Sequence, residues 1–567
     1  MIPFWRKKKN DHVAFEEILL DSSNLPSFNR GRMEGRMELP ITVRNIGIVA
    51  AIFVLIAGWF FSKLFVLQIV KGEEYNHTSE NNSIDQTTII AERGVIYDRH
   101  GELLAWNEPD KEGNYSFPVR AYTDRQGLGQ LIGYVSYPLK DKKGFYYRTE
   151  YIGRNGVEAS YNDQLSGQNG QQLIETNALA DVIGEHVVDL PVSGTEVRLS
   201  LDAKLSEAMH DIIATSTAQS GSRSGAAAIM DVHTGEIVGM TSFPSYDPEV
   251  MADGDDVALI GKYNTDDRYP FLNKVLAGAY TPGSIVKPFV AYAALEENII
   301  SPHKIIVSNG EIVIPNPYTP SNPSIFRDWR AHGAMDMREA IAFSSNVYFY
   351  IIGGGFGDQN GLGITKMHKH FTRFGFGEKT GIALANEQSG TVPNPQWKQE
   401  LFDDDWRLGD TYFTAIGQYG WQVTPLQMLT AYGALANGGK LFVPHVQQGV
   451  VGEYTDIGLD PWALDIVREG MHMTTNYPGG TARSLEKSYV NVAAKSGTAE
   501  LDFAKARLNT WAAGYWPYED PQYSFIVLME YAPYSNSLGG TRLAGDILDW
   551  IHENAPEYLG QELGDEE

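Results

Sequence analysis

No cysteine occurs in the 567 residues, which excludes disulfides, thiolate nucleophiles and zinc–thiolate sites and suits an oxidising compartment. Histidine is sparse at thirteen, only His368 and His370 lie close together, and no H-E-x-x-H string exists, so neither a metal nor another cofactor is expected. Positive charge is short as well: 45 Lys and Arg face 71 Asp and Glu, a net charge of −26, and no basic run is longer than Arg6 to Lys9. A chain this acidic repels a phosphate backbone, so nucleic acid is not an expected partner. Repeats and low-complexity blocks are missing too. With 43% hydrophobic and 20% charged residues the composition is that of a globular protein of several domains.

What the chain does have is one long apolar run. Asn45 to Ser62 are eighteen uncharged residues between Arg44 and Lys63. As a helix they cover about 27 Å at about 1.5 Å per residue, close to the hydrocarbon thickness of a bilayer. Lys63 can snorkel while Leu64 to Val70 carry the helix into the interface. Forty-four residues ahead of the run are too many for the n-region of a signal peptide, so an uncleaved span over 45–70 is expected. Residues 1–45 hold eight Lys or Arg against six acids, a net of +2, which leaves −28 for the remainder. The positive-inside rule then places a tail, 1–44, in the cytoplasm and the bulk of the chain outside.

Residues 71–219 contain short strand-like runs, among them Thr87–Ile90, Gly94–Tyr97, Leu103–Trp106 and Glu196–Leu201. They predict an elongated, mostly β pedestal with an exposed lobe near 108–150 and a linker helix over 202–217. From 220 to 555 a hairpin at Ala226–Met240 and strands at Tyr489–Ala494, Thr510–Tyr515 and Tyr523–Tyr531 enclose helices at Ser284–Glu297, Met337–Ile351 and Pro425–Asn437. Strands at both ends with helices between them predict an α+β domain, a helix-covered antiparallel sheet. An acidic tail, 556–567, follows a last helix at Ala544–Glu553.

Three polar strings carry the candidate chemistry. Ser284 and Lys287 form S-x-x-K at a helix start, one turn apart on one face, so the amine can take the hydroxyl proton. Burial and nearby positive charge would keep that amine neutral. The same string recurs at Ser301/Lys304 and Ser484/Lys487, but in a polar connector and a charged segment. Ser344 and Asn346 form S-x-N before the aromatic run Val347–Tyr350; other copies, at Ser22, Ser27, Ser79 and Ser160, lie outside the helix-rich middle. Lys495, Ser496 and Gly497, followed by Thr498, continue an extended run, whereas the rival Lys379-Thr380-Gly381 sits among turn-forming glycines. On an edge strand Lys495 and Gly497 share a face, and Gly497 would keep that wall low for a substrate chain.

The order S-x-x-K, S-x-N, K-[S/T]-G resembles the active-site signature of penicillin-binding proteins and serine β-lactamases. Ser344 follows Ser284 by sixty residues and Lys495 follows Asn346 by 149, spacings similar to those of the high-molecular-mass members. Arg93, Gly94, Asp98, Arg99 and Gly101 resemble the R-G-x-I-x-D-R-x-G motif of the class B pedestal, and Gly153, Gly156 and Glu158 its G-x-x-G-x-E segment. Phe374 to Gly381 and the loop Gly417, Gln418, Gly420 match further family stretches. The chain departs from the pattern at Ser496, commonly threonine, at Tyr419 inside the G-Q-G loop, and at His100, often asparagine. Without room for a glycosyltransferase domain between span and pedestal, the resemblance points to class B, and within it most to the elongation branch, with the septal branch as the alternative.

This resemblance implies a transpeptidase fold on a pedestal and a bacterial cytoplasmic-membrane protein. Its partners would be peptidoglycan stem peptides ending in D-Ala-D-Ala, β-lactams, a polytopic membrane glycosyltransferase and other cell-wall machinery. It implies Ser284 as nucleophile, Lys287 as base, Ser344 in proton return and Asn346 holding the substrate amide. Lys495, Ser496, Gly497 and Thr498 would form the carboxylate site, with the backbone N–H groups of Ser284 and Thr498 as the oxyanion donors. A D,D-carboxypeptidase or β-lactamase would share the site without needing the large pedestal. A non-catalytic β-lactam sensor would need a larger cytoplasmic module, and an inactive scaffold a broken motif set.

Overall fold

The computed structural model of the protein describes residues 42–75, 84–111, 113, 115–141, 146–176, 182–316, 319, 321–501, 506–535 and 538–560. Most of the expected cytoplasmic tail and the end of the acidic tail lie outside these residues. The chain divides into two compact units, Met1–Asp85 with Thr176–Asp181, and Gln86–Glu175 with Val182–Glu567. The first carries helix α1 (Val43–Phe65), which continues through a wider turn to Val70 with no side chain buried. Over 28 residues it is long and apolar enough to cross a membrane. Its exposed Ile, Val, Leu and Phe side chains are stable in lipid and costly in water.

The second unit holds both the pedestal strands and the larger sheet. In the pedestal β1 (Ile96–Tyr97), β2 (Leu103–Glu108), β3 (Val119–Tyr122) and β4 (Val197–Arg198) form a sheet in the order β4-β1-β2-β3, with β4 parallel to β1. A buried ion triad ties the two pedestal motifs together. Glu158 accepts from Arg93 Nε at 2.5 Å and from Arg120 Nε at 2.8 Å, and all three side chains are 0% exposed. Asp98 accepts the amides of His100 and Glu102 at 2.8 Å and of Ala203 at 3.3 Å, so the D-R-x-G turn also holds the start of the next helix.

The lobe near 108–150 is exposed, as expected, at its flanks, at Lys111, Lys140 and Tyr147, but most of its middle is buried. Phe117, Arg120, Tyr122, Leu131, Val135 and Tyr137 are all buried. The stretch looks polar because part of its apolar payload is tyrosine, which buries a ring beneath a polar tip. Tyr137 packs against Tyr115 and Tyr151, and its hydroxyl bonds the Arg120 backbone and Asp253.

Helix α2 (Ala203–Ser220) starts at Asp202, whose side chain caps the Leu205 amide, and ends at Gly221 in the left-handed region. After it come β5 (Ser224–Asp231) and β6 (Ile237–Phe243), then α3 (Lys287–Glu296), α4 (Met337–Phe343), α5 (Asn346–Gly354), α6 (Pro425–Asn437) and α7 (Pro461–Asn476). The chain closes with β7 (Ala493–Glu500), β8 (Arg507–Trp516), β9 (Tyr523–Pro533) and α8 (Gly540–Asn554). The sheet order is β6-β5-β9-β8-β7, antiparallel throughout, with the first and last parts of the domain meeting at β5–β9.

Alternation along β5 sends Ala226, Ala228 and Met230 into one core, and Ala227 and Ile229 into another under α2 and α8. This is the expected helix-covered antiparallel sheet, and β7 is its edge.

Candidate active site

The segment Pro282-Gly283-Ser284 enters α3 through a 3-10 turn, Gly283–Val286, and Pro288 occupies the first turn of the helix, where a missing N–H costs nothing. A 3-10 turn eclipses residues i and i+3, which brings Ser284 over Lys287. Gly283 has φ +57, and a Cβ there would lie 2.5 Å from the Thr498 carbonyl. Its amide donates to the Gly417 carbonyl at 3.0 Å. The turn bearing Ser284 is therefore clamped between the edge strand and the 417–420 loop.

Lys287 is completely buried. Its Nζ donates to the Ser344 carbonyl at 2.7 Å, to Asn346 Oδ1 at 2.8 Å and to Ser344 Oγ at 3.2 Å. Burial lowers its pKa to about 7, opposed by the charge of Asp328. As expected, burial is what lowers Lys287; Lys495 is likewise lowered well below its ordinary value, first by burial and then by the charge of Lys287. Two buried lysines thus face one region, and the charge of the first bears on the second.

The single helix expected over Met337–Ile351 is two. Ser344 stands at φ +58, in the left-handed region, and Ser345 caps α5 by accepting the Tyr348 amide. The break arises from Asp328, which the sequence reading missed. Its carboxylate accepts from Ser345 Oγ at 2.7 Å and from the amides of Asn346 at 2.9 Å and Val347 at 3.0 Å. His332 lies 3.4 Å away with both side chains 0% exposed. Burial works against its charge, but the nearby His332, the Ser345 hydroxyl and the two amides outweigh it and hold Asp328 well below the usual carboxylate range. Beside it Trp329 Nε1 donates to the Ser344 carbonyl at 3.3 Å, the same oxygen that Lys287 uses. An Asp-Trp pair after a Pro- and Asn-rich stretch carries no sequence signal for this role.

On β7, Lys495 and Gly497 are buried, Ser496 is half-buried and Thr498 is exposed. Gly497 does not face a substrate channel as expected. A Cβ there would meet Ile285 Cγ2 at 2.8 Å and the Pro282 carbonyl at 3.0 Å, so its missing side chain admits the nucleophile turn itself. The Thr498 carbonyl points at Gly283, and in an antiparallel strand a residue's N–H points the same way as its C=O, toward Ser284. Lys495 Nζ donates to the Ser496 carbonyl at 2.9 Å. The rival Lys379 string is a turn whose Thr380 and Gly381 amides bind Glu387.

The structure thus brings Ser284, Lys287, Ser344, Asn346, Lys495, Ser496, Gly497 and Thr498 together, while Arg93, Gly94, Asp98, Arg99, Gly101, Gly153, Gly156 and Glu158 build the pedestal. Among the described residues no group of three or more His, Cys, Asp or Glu is placed to hold a metal ion. A serine beside a buried amine with a pKa near 7, across from a second buried lysine, is suited to acyl transfer to and from a donor with a terminal anion.

Comparison with known proteins agrees with this chemistry. The family described as penicillin binding protein transpeptidase domain matches residues 225–549, and that described as penicillin-binding protein dimerisation domain matches 115–199. The peptidoglycan D,D-transpeptidase MrdA of Haemophilus influenzae is 28% identical over 614 residues, covering 90% of each chain. A solved complex of penicillin-binding protein PBP2 and MreC from Helicobacter pylori superposes with a TM-score of 0.69 at 28% identity, covering 83% of this chain and 100% of that one. A structure of a peptidoglycan synthase complex that coordinates polymerization and crosslinking also gives 0.69, at 25% identity, over 92% of this chain and 99% of the other.

Proposed function

Because the chain belongs to the penicillin-binding protein transpeptidase family, we propose that it is a peptidoglycan D,D-transpeptidase, cross-linking stem peptides in wall elongation through an acyl-enzyme on Ser284. The observation that carries this reading is Lys287, buried in its three-acceptor cradle with a pKa near 7.

Ser284 Oγ attacks the carbonyl of the penultimate D-alanine while neutral Lys287 takes its proton. The N–H groups of Ser284 and Thr498 hold the oxyanion; one such donor is typically worth about 3 kcal/mol. As the peptide bond breaks, the D-alanine amine needs a proton. Ser344 Oγ, 3.2 Å from Lys287 Nζ, can accept from the ammonium and donate onward, since a hydroxyl does both. An amine of a second stem then attacks the ester, Lys287 takes the amine proton and returns it to Ser284 Oγ as the acyl–oxygen bond breaks, and the serine is regenerated. Asn346 holds Lys287 and the substrate amide, and Lys495, Ser496 and Thr498 receive the terminal carboxylate. β-lactams are trapped at the same serine because their opened ring does not leave.

Helix α1 anchors the protein, with the short tail in the cytoplasm and the site outside, a direction supported by the charge balance around residues 44–63. Partners are a polytopic glycosyltransferase and scaffold proteins of the wall machinery, a reading supported by the PBP2–MreC and synthase complexes of relatives. Swapping residues 45–110 for an unrelated anchor should then abolish co-purification of the glycosyltransferase; retained binding overturns that docking. The activity itself is tested by mass spectrometry with a penicillin. An adduct is expected on the wild type and none on Ser284→Ala, and an adduct on both overturns the assignment.

A further inference from the structure

Ser496 is a serine where the family commonly has threonine, and its hydroxyl is not left to rotate. Ser496 Oγ donates to Thr481 Oγ1 at 2.6 Å and accepts from Lys495 Nζ at 3.4 Å. Thr481 Oγ1 donates in turn to the Ala342 carbonyl at 3.4 Å, and the Thr481 amide reaches that same carbonyl at 3.2 Å. Ala342 lies in α4, two residues before Ser344. Thr481 thus brackets the strand that bears Lys495 to the turn that bears Ser344.

The bracket stands on a fixed backbone. Gly480 donates to the Tyr477 carbonyl at 2.9 Å and Ala482 to the Thr474 carbonyl at 3.0 Å. A Cβ on Gly480 would crowd the Met473 carbonyl at 2.8 Å, so the loop lies directly on the end of α7.

A threonine at 496 would restrict its own χ1 through the β-branch, whereas a serine has three staggered choices. We propose that Thr481 is a positioning residue for the anionic end of the acyl donor. It holds the Ser496 hydroxyl in the rotamer that faces the carboxylate. On binding, it turns its own O–H from the Ala342 carbonyl to Ser496 Oγ, which frees the Ser496 proton for the anion. The turn gives up only a long 3.4 Å bond and moves no heavy atom. This role rests on the transpeptidase reading.

The test compares acylation of the full-length protein by benzylpenicillin, a free acid, and by its methyl ester. T481V, T481S and T481A are each measured with Ser496 and in the S496T background. The acid-to-ester rate ratio is expected to fall about tenfold in T481V, the worth of one hydrogen bond to a charged group, and chiefly through weaker initial binding. T481S retains the ratio. In the S496T background the same T481V change costs less than about threefold, since the β-branch takes over the rotamer. T481A repeats the comparison should T481V not fold.

An unchanged ratio in T481V, or an equal fall in both backgrounds, overturns the role and leaves Thr481 as loop structure. A wild type that forms no adduct overturns the transpeptidase reading instead.

Discussion

Lys287 Nζ lies 2.8 Å from Asn346 Oδ1, joining two helix starts that are fifty-nine residues apart in the chain. Neither helix fixes that distance alone. Asn346 is held because its amide, that of Val347 and the Ser345 hydroxyl all converge on Asp328. The aspartate therefore acts on the amine twice, by placing its acceptor and by opposing the burial that lowers its pKa.

Asp328→Asn separates these effects. The amide keeps one acceptor oxygen and no charge, so acylation is expected to slow by at least about tenfold, the loss of one charge-assisted bond at about 1.5–3 kcal/mol. The pH profile moves as well. Neutral Lys287 is the reactive form, so the wild-type rate rises with pH through about 7. Without the negative charge the ammonium is less favoured, and the rise shifts to lower pH. Stopped-flow acylation by a fluorescent penicillin measures both; an unmoved rise means that Asp328 acts by position alone.

Glu158→Gln addresses the pedestal. It leaves Arg93 and Arg120, both fully buried, without a counter-charge, which typically costs about 3–5 kcal/mol. The expected result is a large fall in the thermal midpoint of the detergent-solubilised protein. The paired arginines hold the Glu158 pKa below its ordinary 4.5 against the opposing effect of burial. Its stabilisation is therefore complete above about pH 4.5 and is lost as pH falls through the lowered value. The melting difference between wild type and variant should narrow in that acid range.

Helix α6 was legible in the sequence to the residue because its cap, proline and glycine stop are all local: Thr424 with Gln427, Pro425 and Gly438. The three motif strings were legible for the same reason, each a short pattern on a periodic background. The break at Ser344 was not, because its cause, Asp328, is remote and enters from a separate hairpin. The burial of Tyr137 was hidden because a tyrosine reads as polar until its partners are known. Gly497 was placed on the right face, but what covers that face is set by tertiary packing of the nucleophile turn, which strand periodicity does not contain.

Gly497→Ala tests that packing. The new methyl would stand 2.8 Å from Ile285 Cγ2 and 3.0 Å from both the Pro282 carbonyl and Trp511 Cβ, so the turn carrying Ser284 must move away from β7. Overpacking of this kind costs about 1–3 kcal/mol of stability. The larger effect is expected on acylation, since Thr498 N–H and Ser284 lose register, and a fall of about a hundredfold corresponds to roughly one lost oxyanion donor. Melting and acylation measured on one preparation distinguish this from simple unfolding.

Lys495 yields the last expectation, one of sign. It is buried, its Nζ bonds the Ser496 carbonyl and hydroxyl, and its pKa is lowered well below the ordinary value by burial and then by the charge of Lys287. Among the described residues no acid side chain pairs with Lys495, so a buried ammonium there gains a counter-charge when an anion arrives. Binding of a carboxylate supplies the counter-charge, raises the Lys495 pKa and draws a proton from solution. Affinity for an anionic donor therefore falls as pH climbs above the free-state pKa, while the acylation step rises through about 7 with neutral Lys287. Their product is a bell-shaped profile. Calorimetry of Ser284→Ala with benzylpenicillin, in two buffers of different ionisation enthalpy, should record proton uptake on binding, and far less for the methyl ester. Equal heats in both buffers would mean that Lys495 is already charged in the free protein, and that Lys287 alone bears the cost of placing two lysines in one buried cleft.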